Sequence, residues 1–318
     1  MTIGLKESVA IILVNWNSYN DTYECLKSLE KIDYKYYKIM LVDNASEDNS
    51  YYRLLDDYNQ GKFGVEISFF RNELNLGFAG GNNIGIKKAL DEGFAYFWLL
   101  NNDTVVDRKA LNALVMTIKS NSDLGIVGSK IYYHNTDNIW FAGGKVNTWT
   151  GRAKHIGIKE KDNEDYNNPK SVDYITGCSL LFKREVIETI GYMNEDYFLY
   201  YEETEWNIRA NKHGWGIRYE PSSIVYHKVS MASGGENNLA PYVAYYYIRN
   251  SLVMIKRTQP KIKFIINVSF QILNVIKELI KVYIKGSNNK LLRIRFILLG
   301  FIYGLKEKMI KHYEINEK

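Results

Sequence analysis

Apolar and polar positions alternate along the first part of the chain as strand-like runs and helical stretches. Val9–Val14 is an unbroken apolar run, and Asp21–Leu29 follows with apolar residues at helical spacing, which makes a strand-then-helix unit. Ile39–Val42 reads as a second strand and Tyr51–Tyr58 as a second helix. Ile67–Phe70 is a third strand; it runs into Asn72–Asn83, rich in Gly and Asn, and then into a helix over Ile84–Glu92. Phe94–Leu100 is a fourth strand and Arg108–Asn121 the next helix. Strands that alternate with helices of this length predict an α/β domain with a mostly parallel sheet flanked by helices.

Leu124–Asp173 is less regular, with short β-prone pieces at Gly125–Tyr133 and Trp140–Trp149. Ser179–Phe182 is a further strand, and Glu185–Ile190 and Thr204–His213 are helices. After Pro241 the pattern changes. Ile262, Ile265, Ile266, Ile272, Leu273, Ile276, Leu279, Ile280 and Tyr283 recur at helical spacing, with Lys277, Lys281 and Lys285 on another face. The longest uncharged runs, Phe264–Ile276 and Phe296–Leu305, fall short of the roughly 20 residues a spanning helix needs. These are amphipathic helices whose pattern suits a membrane interface. The competing cover for the stripe is the domain itself or a second subunit in a homodimer. The expected division is a domain over 1–240, with halves 1–123 and 124–240, and a basic amphipathic extension over 241–318.

Composition narrows the class. A chain of 318 residues that is 46% hydrophobic can bury a full core, so global disorder is excluded. Cys25 and Cys178 are too few for a disulfide framework and lack metal-ligand spacing, which points to a reducing compartment, the cytoplasm. No long apolar segment precedes the first strand, so no signal peptide is expected. The net charge of +5 conceals an asymmetry: from Leu252 onward 14 Lys and Arg face 4 Asp and Glu, leaving −5 on the remainder. A basic tail on an acidic body meets something anionic, and the apolar stripe favours lipid over nucleic acid.

Candidate chemistry lies at the strand ends, where a parallel α/β sheet binds ligands. Asp43-Asn44-Ala45-Ser46 follows the second strand, and Asp43 could accept from a base or a ribose hydroxyl; Asp, Asn and Ser also start turns and cap helices. Asn75-Leu76-Gly77-Phe78-Ala79-Gly80-Gly81-Asn82-Asn83 opens a helix, where backbone N–H groups suit a phosphate or sugar hydroxyls, although a tight turn explains the glycines equally. Asn101-Asn102-Asp103-Thr104 ends the most apolar strand, and one carboxylate there can serve a hard divalent cation that keeps its other positions for water and phosphate. Glu202-Glu203 follow an aromatic run at a helix start; like charges near an apolar wall raise a carboxylate toward the range of a general base. His227 precedes the small-residue stretch Lys228–Gly235, which reads as a lid, and could contact a metal or phosphate or be structural.

Together these segments resemble family 2 glycosyltransferases of the GT-A fold, in particular the rhamnosyltransferase-like subset. The resemblance covers roughly Ser8–Gly235 and rests on Val14-Asn15-Trp16-Asn17, Val42–Ser46, Asn75–Asn83 and Leu100–Asp103. Downstream it adds Phe141–Gly144, Ile175–Cys178, Tyr200–Glu205 with Arg209, and His227. It implies a nucleoside diphosphate sugar donor, a dTDP- or UDP-sugar, contacted by Asn15, Trp16, Asn17, Asp43, Asn44, Asn75, Gly77, Asn83, Asn102 and Asp103. Trp16 matches the aromatic that stacks on the base. It further implies Mg²⁺ or Mn²⁺ held by Asp103 and His227, and Glu203 as inverting general base, a role shared with Glu202. Two positions depart from the usual pattern: Asn101 replaces the first Asp of D-x-D, and Glu203 stands where Asp is commoner. The acceptor, a glycan or a lipid-linked saccharide, is assigned to Trp140, Asp173 and Trp206. The implied setting is surface polysaccharide synthesis on the inner face of the cell membrane.

Two other classes share part of this pattern. A nucleotidyltransferase places a Gly-rich loop directly after its first strand, whereas Asn15-Trp16-Asn17-Ser18 has no glycine. A non-catalytic nucleotide-sugar module would follow if Asn101 abolished metal binding.

Overall fold

The structure, a computed structural model, describes residues 7–229, 240–284 and 289–309. Its first half alternates strands and helices: β1 (Val9–Asn15), α1 (Tyr19–Leu29), β2 (Tyr37–Asp43), α2 (Ser50–Asn59), β3 (Ile67–Arg71), α3 (Gly77–Asp91), β4 (Tyr96–Asn101), β5 (Thr104–Val106) and α4 (Ala110–Lys119). Then come β6 (Leu124–Tyr133), β7 (Ile139–Phe141), β8 (Gly144–Asn147), β9 (Arg152–His155), β10 (Lys170–Ser171), β11 (Ser179–Lys183), α5 (Arg184–Ile190), α6 (Glu202–Lys212) and β12 (Gly216–His227). Three helices close the described chain: α7 (Tyr242–Thr258), α8 (Lys261–Ile284) and α9 (Lys290–Lys306).

The main sheet runs β10-β12-β6-β11-β4-β1-β2-β3. Strands β3, β2, β1 and β4 are parallel, and β11 is antiparallel to both β4 and β6. The central strands are apolar on both faces because helices cover both, so β1, β2 and β4 are almost wholly buried. Across the antiparallel junction Phe97 stacks on Phe182 at 5.1 Å, and the Trp98 indole N–H donates to the Ser179 hydroxyl. That junction welds the first half of the domain to the second.

Three expectations change. The Gly- and Asn-rich segment is helical from Gly77, and only Asn72–Leu76 remains loop. Its glycines serve contact: a Cβ on Gly81 would lie 2.9 Å from Val14, and one on Gly85 2.6 Å from Ile12, so α3 lies directly on the sheet. The twelve-residue strand β12 has no expected counterpart, since Pro221 and two serines break its apolar alternation. Helix α7 also escaped the pattern because it is buried nearly all round, and a buried helix shows no amphipathic period.

Helix α7 is fastened to the rest of the domain. The buried Arg249 donates to the carbonyl oxygens of Asp196 (2.7 Å) and Lys308 (3.1 Å), and Val253, Met254 and Ile255 pack with Tyr197 and Ile208. Helices α8 and α9 lie against α7, burying Val275 and Ile297 with Ile248 and Leu252. No helix among the described residues is long and apolar enough to cross a membrane.

Candidate active site

The carboxyl ends of β1, β2 and β4 lie side by side, with Asn15 opposite Asp43 and Val14 opposite Asn101. Sheet order reverses at β1, so this edge is the switch point at which α/β sheets bind nucleotides. Asp43 is fully buried. Its Oδ1 accepts from the Ser46 N–H (2.9 Å), and its Oδ2 accepts from the Asn15 amide (2.8 Å) and the Ser46 hydroxyl (2.5 Å). The Asn15 Oδ1 in turn accepts from Thr22 (2.8 Å), to which the Asn102 amide also donates (2.8 Å). Asp43 and Asn15 thus form a closed hydrogen-bonded cluster at the strand ends that holds the following loop, where Ala45 and Asn49 adopt positive φ. Trp16, the residue after Asn15, is half-buried, and the exposed Asn17 accepts from the Glu47 N–H.

Sequence reasoning passed over Arg71 at the end of β3. Its Nε lies 3.6 Å from Asp43 Oδ1, and its guanidinium sits over Tyr52 at 5.0 Å. The strand-end rule that singled out Asp43 applies to it equally, and it places a cation beside the Asp43 carboxylate.

The loop before α3 joins this end to the reacting centre. Asn44 donates to the Gly77 carbonyl (2.9 Å), and Asn75 accepts from the Gly77 N–H (2.9 Å). Gly77 sits at φ +70°, and a Cβ there would lie 2.4 Å from the Phe198 carbonyl oxygen, which already accepts from the Phe78 N–H at 2.9 Å. Asn83 is buried, and its amide donates to the Met193 carbonyl and to Glu195, both at 2.9 Å, which fastens α3 to the segment before α6, while its Oδ1 has no hydrogen-bond partner.

Asp103 and His227 meet across the sheet. The imidazole Nε2 lies 3.1 Å from Asp103 Oδ2, both side chains are buried, and His227 Nδ1 has no hydrogen-bond partner. Burial works against the imidazolium, but the neighbouring Cys178 and Asp103 hold its pKa well above the usual value. One carboxylate oxygen and one imidazole fit a divalent cation of borderline hardness that takes its other ligands from water and a diphosphate. Among the described residues there is no cluster of three or more His, Cys, Asp or Glu that could hold a metal by itself.

Glu203 lies in the first turn of α6. Burial pushes its pKa up to about 7, while backbone N–H groups of its own residue, Thr204 and Gly177 pull the other way. Glu202 is more deeply buried, and one of its oxygens has no partner; burial and then the Glu203 charge hold it well above the ordinary carboxylate range. Glu203, the less buried of the two and the one tuned to about 7, is suited to take a proton near neutrality. The segment leading into α6 is strained: Phe198, Tyr200 and Tyr201 all have φ between 61° and 73°.

The three acceptor assignments separate. Trp140 sets its ring edge-on to His227 at 4.5 Å, beside the centre. Asp173 is exposed and accepts from the Val146 N–H at 2.8 Å. Trp206 is a correction. It is 1% exposed, packs against Phe182 and donates to the Gly191 carbonyl, so it belongs to the core. The stretch 230–235, read as a lid, lies outside the described residues.

A parallel sheet with its switch point at β1, joined through an antiparallel strand to a half that brings a carboxylate and an imidazole to the same edge, defines a GT-A glycosyltransferase. The profile of glycosyl transferase family 2 matches residues 10–191, and the chain belongs to that family. It is 28% identical over 214 residues to the low-salt glycan biosynthesis hexosyltransferase Agl10 of Haloferax volcanii, covering 67% of this chain and 64% of that protein. It is 25% identical over 229 residues to the poly-beta-1,6-N-acetyl-D-glucosamine synthase of Staphylococcus epidermidis, covering 72% of this chain and 52% of the synthase. Among solved structures, S. aureus TarS 1-349 in complex with UDP-GlcNAc superposes with a TM-score of 0.60 at 16% identity, over 93% of this chain and 81% of that one. The mannosyltransferase PcManGT of Pyrobaculum calidifontis, in complex with GDP-Man and Mn²⁺, gives 0.60 at 13% identity, over 94% and 87%. The chain spans about half to two thirds of the length of these curated relatives, and the matched structures share its fold.

Proposed function

We propose that this protein inverts the anomeric centre of a hexose as it moves it from a nucleoside diphosphate sugar to a glycan or lipid-linked acceptor in cell-surface polysaccharide synthesis. The carrying observation is Glu203: a half-buried carboxylate, tuned to about 7, that accepts from the Gly177 N–H next to Cys178, whose carbonyl in turn accepts from the Asn101 N–H at the end of β4 (3.0 Å). The named complexes of TarS with UDP-GlcNAc and PcManGT with GDP-Man support a nucleotide-sugar donor. The subset resemblance suggests rhamnose from a dTDP donor.

In this reading Trp16 covers the base, the Asp43–Asn15 floor fixes the loop beneath it, and Arg71 answers the charge of the donor. Asp103 and His227 would hold Mg²⁺ or Mn²⁺, and an ion bound there would supply positive charge to a leaving diphosphate. Glu203 takes the proton of the acceptor hydroxyl as that oxygen attacks the anomeric carbon from the face opposite the departing diphosphate, and configuration inverts. The protein works at the cytoplasmic face of the cell membrane, which the basic amphipathic tail supports.

The test is a donor panel of dTDP-, UDP- and GDP-sugars with Mn²⁺ or Mg²⁺ present. Nucleoside diphosphate release from at least one donor, reduced about 100- to 10,000-fold in Glu203→Gln, is the expected result. Absence of release from every donor, or a Glu203→Gln variant indistinguishable from wild type, sinks the reading; pyrophosphate release instead would make it a nucleotidyltransferase.

A further inference from the structure

The hairpin β8–β9 stands beside the proposed base. Its two strands pair with Lys145 opposite Lys154 and Asn147 opposite Arg152, so these four side chains share one face. The other face carries Val146 and Ala153 into the core. Like charges directly opposite each other destabilise a ribbon. Among the described residues, none of the three cations forms an ion pair. The three, with Asn147 and Thr150, line a cavity of about 240 Å³ that contains no carboxylate.

Two contacts place this basic face between the reacting centre and the C-terminal helices. On one side Tyr201, two residues before Glu203, hydrogen-bonds the Ala153 backbone and Ser251, and feels the charges of both Arg152 and Glu203. On the other side the turn of the hairpin is seated on α8. Lys263 donates to the Thr148 hydroxyl at 2.7 Å, and the Arg152 guanidinium lies 4.5 Å over the Phe270 ring.

Helix α8 has two apolar faces. Phe264, Val268, Leu279 and Val282 pack inward on α7 and its neighbours. Ile262, Ile265, Ile266, Leu273, Ile276 and Ile280 are exposed, as is Tyr283 at 82%. At about 100° per residue these exposed positions fall within an arc of roughly 120°, and at about 1.5 Å per residue the stripe runs some 30 Å. Lys263, Lys277 and Lys281 flank it on the side of Phe270. An exposed apolar band of this length bordered by cations fits the surface of an anionic amphiphile assembly.

The geometry points to an acceptor that is a phosphate-bearing amphiphile: its phosphate rests on Lys145, Arg152 and Lys154, and its lipid lies with the bilayer against the exposed stripe of α8. The acceptor hydroxyl then extends past Tyr201 toward Glu203. This inference rests on the glycosyl-transfer reading, whose base fixes the direction in which the acceptor points.

The experiment uses the full chain and phosphatidylcholine vesicles doped either with a long-chain prenyl phosphate or with the matching neutral prenol. Wild type floats with the phosphate vesicles and not with the neutral ones. The triple variant Lys145→Gln/Arg152→Gln/Lys154→Gln binds phosphate vesicles about 100-fold more weakly, since each cation near an anionic surface is worth about fivefold. It keeps wild-type donor hydrolysis in water, which shows that it folds and that its donor end is intact. The stripe variant Leu273→Lys/Ile276→Ser/Ile280→Ser loses flotation and keeps wild-type donor hydrolysis in water. Equal flotation with both vesicle types, an undiminished triple variant, or inhibition by free phosphate with no vesicle binding at all overturns the proposal. Failure of donor cleavage by wild type would sink the transferase reading and leave the vesicle result standing, so the two fail separately.

Discussion

Asn250 is the residue on which the shape of the acceptor-side loop depends. It is fully buried in α7, and its amide donates to the carbonyl oxygens of Tyr197 (3.0 Å), Leu199 (2.8 Å) and Tyr200 (2.9 Å). Two N–H groups thus serve three acceptors in the strained segment that leads into Glu203. Three non-glycine residues at positive φ cost about 1–2 kcal/mol each, so the segment holds roughly 3–6 kcal/mol of strain. Asn250→Ala removes about 1 kcal/mol per hydrogen bond and strands buried carbonyl groups, a loss of about 3 kcal/mol. The expected thermal shift is a Tm lower by about 6–12 °C. If the strained loop relaxes, the first turn of α6 moves with it, and a displacement of about 1 Å at the base costs about 100-fold in kcat with little change in donor KM. The assay is steady-state transfer with the best donor, read together with the acidic limb of the kcat profile, which Glu203 places near pH 7. A variant whose Tm falls while kcat and the acidic limb stay at wild-type values would refute the reasoning, because Asn250 would then support the fold without positioning the base. Thr258→Val, which removes a buried hydroxyl bond to the Met254 carbonyl on the same helix, should lower Tm alone.

Further outcomes follow from the same geometry. Gly77→Ala forces a Cβ to 2.4 Å from the Phe198 oxygen at a φ of +70°, so it should cost several kcal/mol and depress kcat; a variant with unchanged thermal denaturation would contradict the tight joint. Glu203 has its folded pKa raised from 4.5 to about 7, so the protein loses stability as pH rises through that window, when the buried carboxyl must ionise. Glu203→Gln should accordingly be more stable than wild type above pH 7 and no more stable near pH 4, which denaturant titrations at the two pH values would measure. Chelation of divalent cations should abolish transfer, and Asp103→Ala should weaken Mn²⁺ binding at least tenfold by calorimetry; metal-independent turnover would remove Asp103 and His227 from that role.

The alternation of apolar runs with helical stretches settled the α/β layering, because strands covered on both faces must be apolar throughout and their helices must show a single apolar stripe. The strand-end polar clusters were legible for the same reason: Asp43 and Asn101 stand where an apolar run gives way to polar residues, whereas Arg71, at the equivalent place on β3, was passed over. Sequence alone also marked Glu203, His227 and Asp103 as chemistry-bearing, through spacing and resemblance. Only the tertiary structure separated Glu202, deeply buried, from Glu203, and showed Trp206 and Asn83 to be internal fasteners, since burial is a property of neighbours that lie far away along the chain. The same holds for the C-terminal helices. Their apolar stripe was visible as a period, but α7 was not, and its Asn250 reaches a loop some 50 residues upstream that only the folded chain brings within hydrogen-bond distance. The opposition of Lys145 to Lys154 likewise exists only in the paired register of two strands, which sets two like charges directly opposite each other.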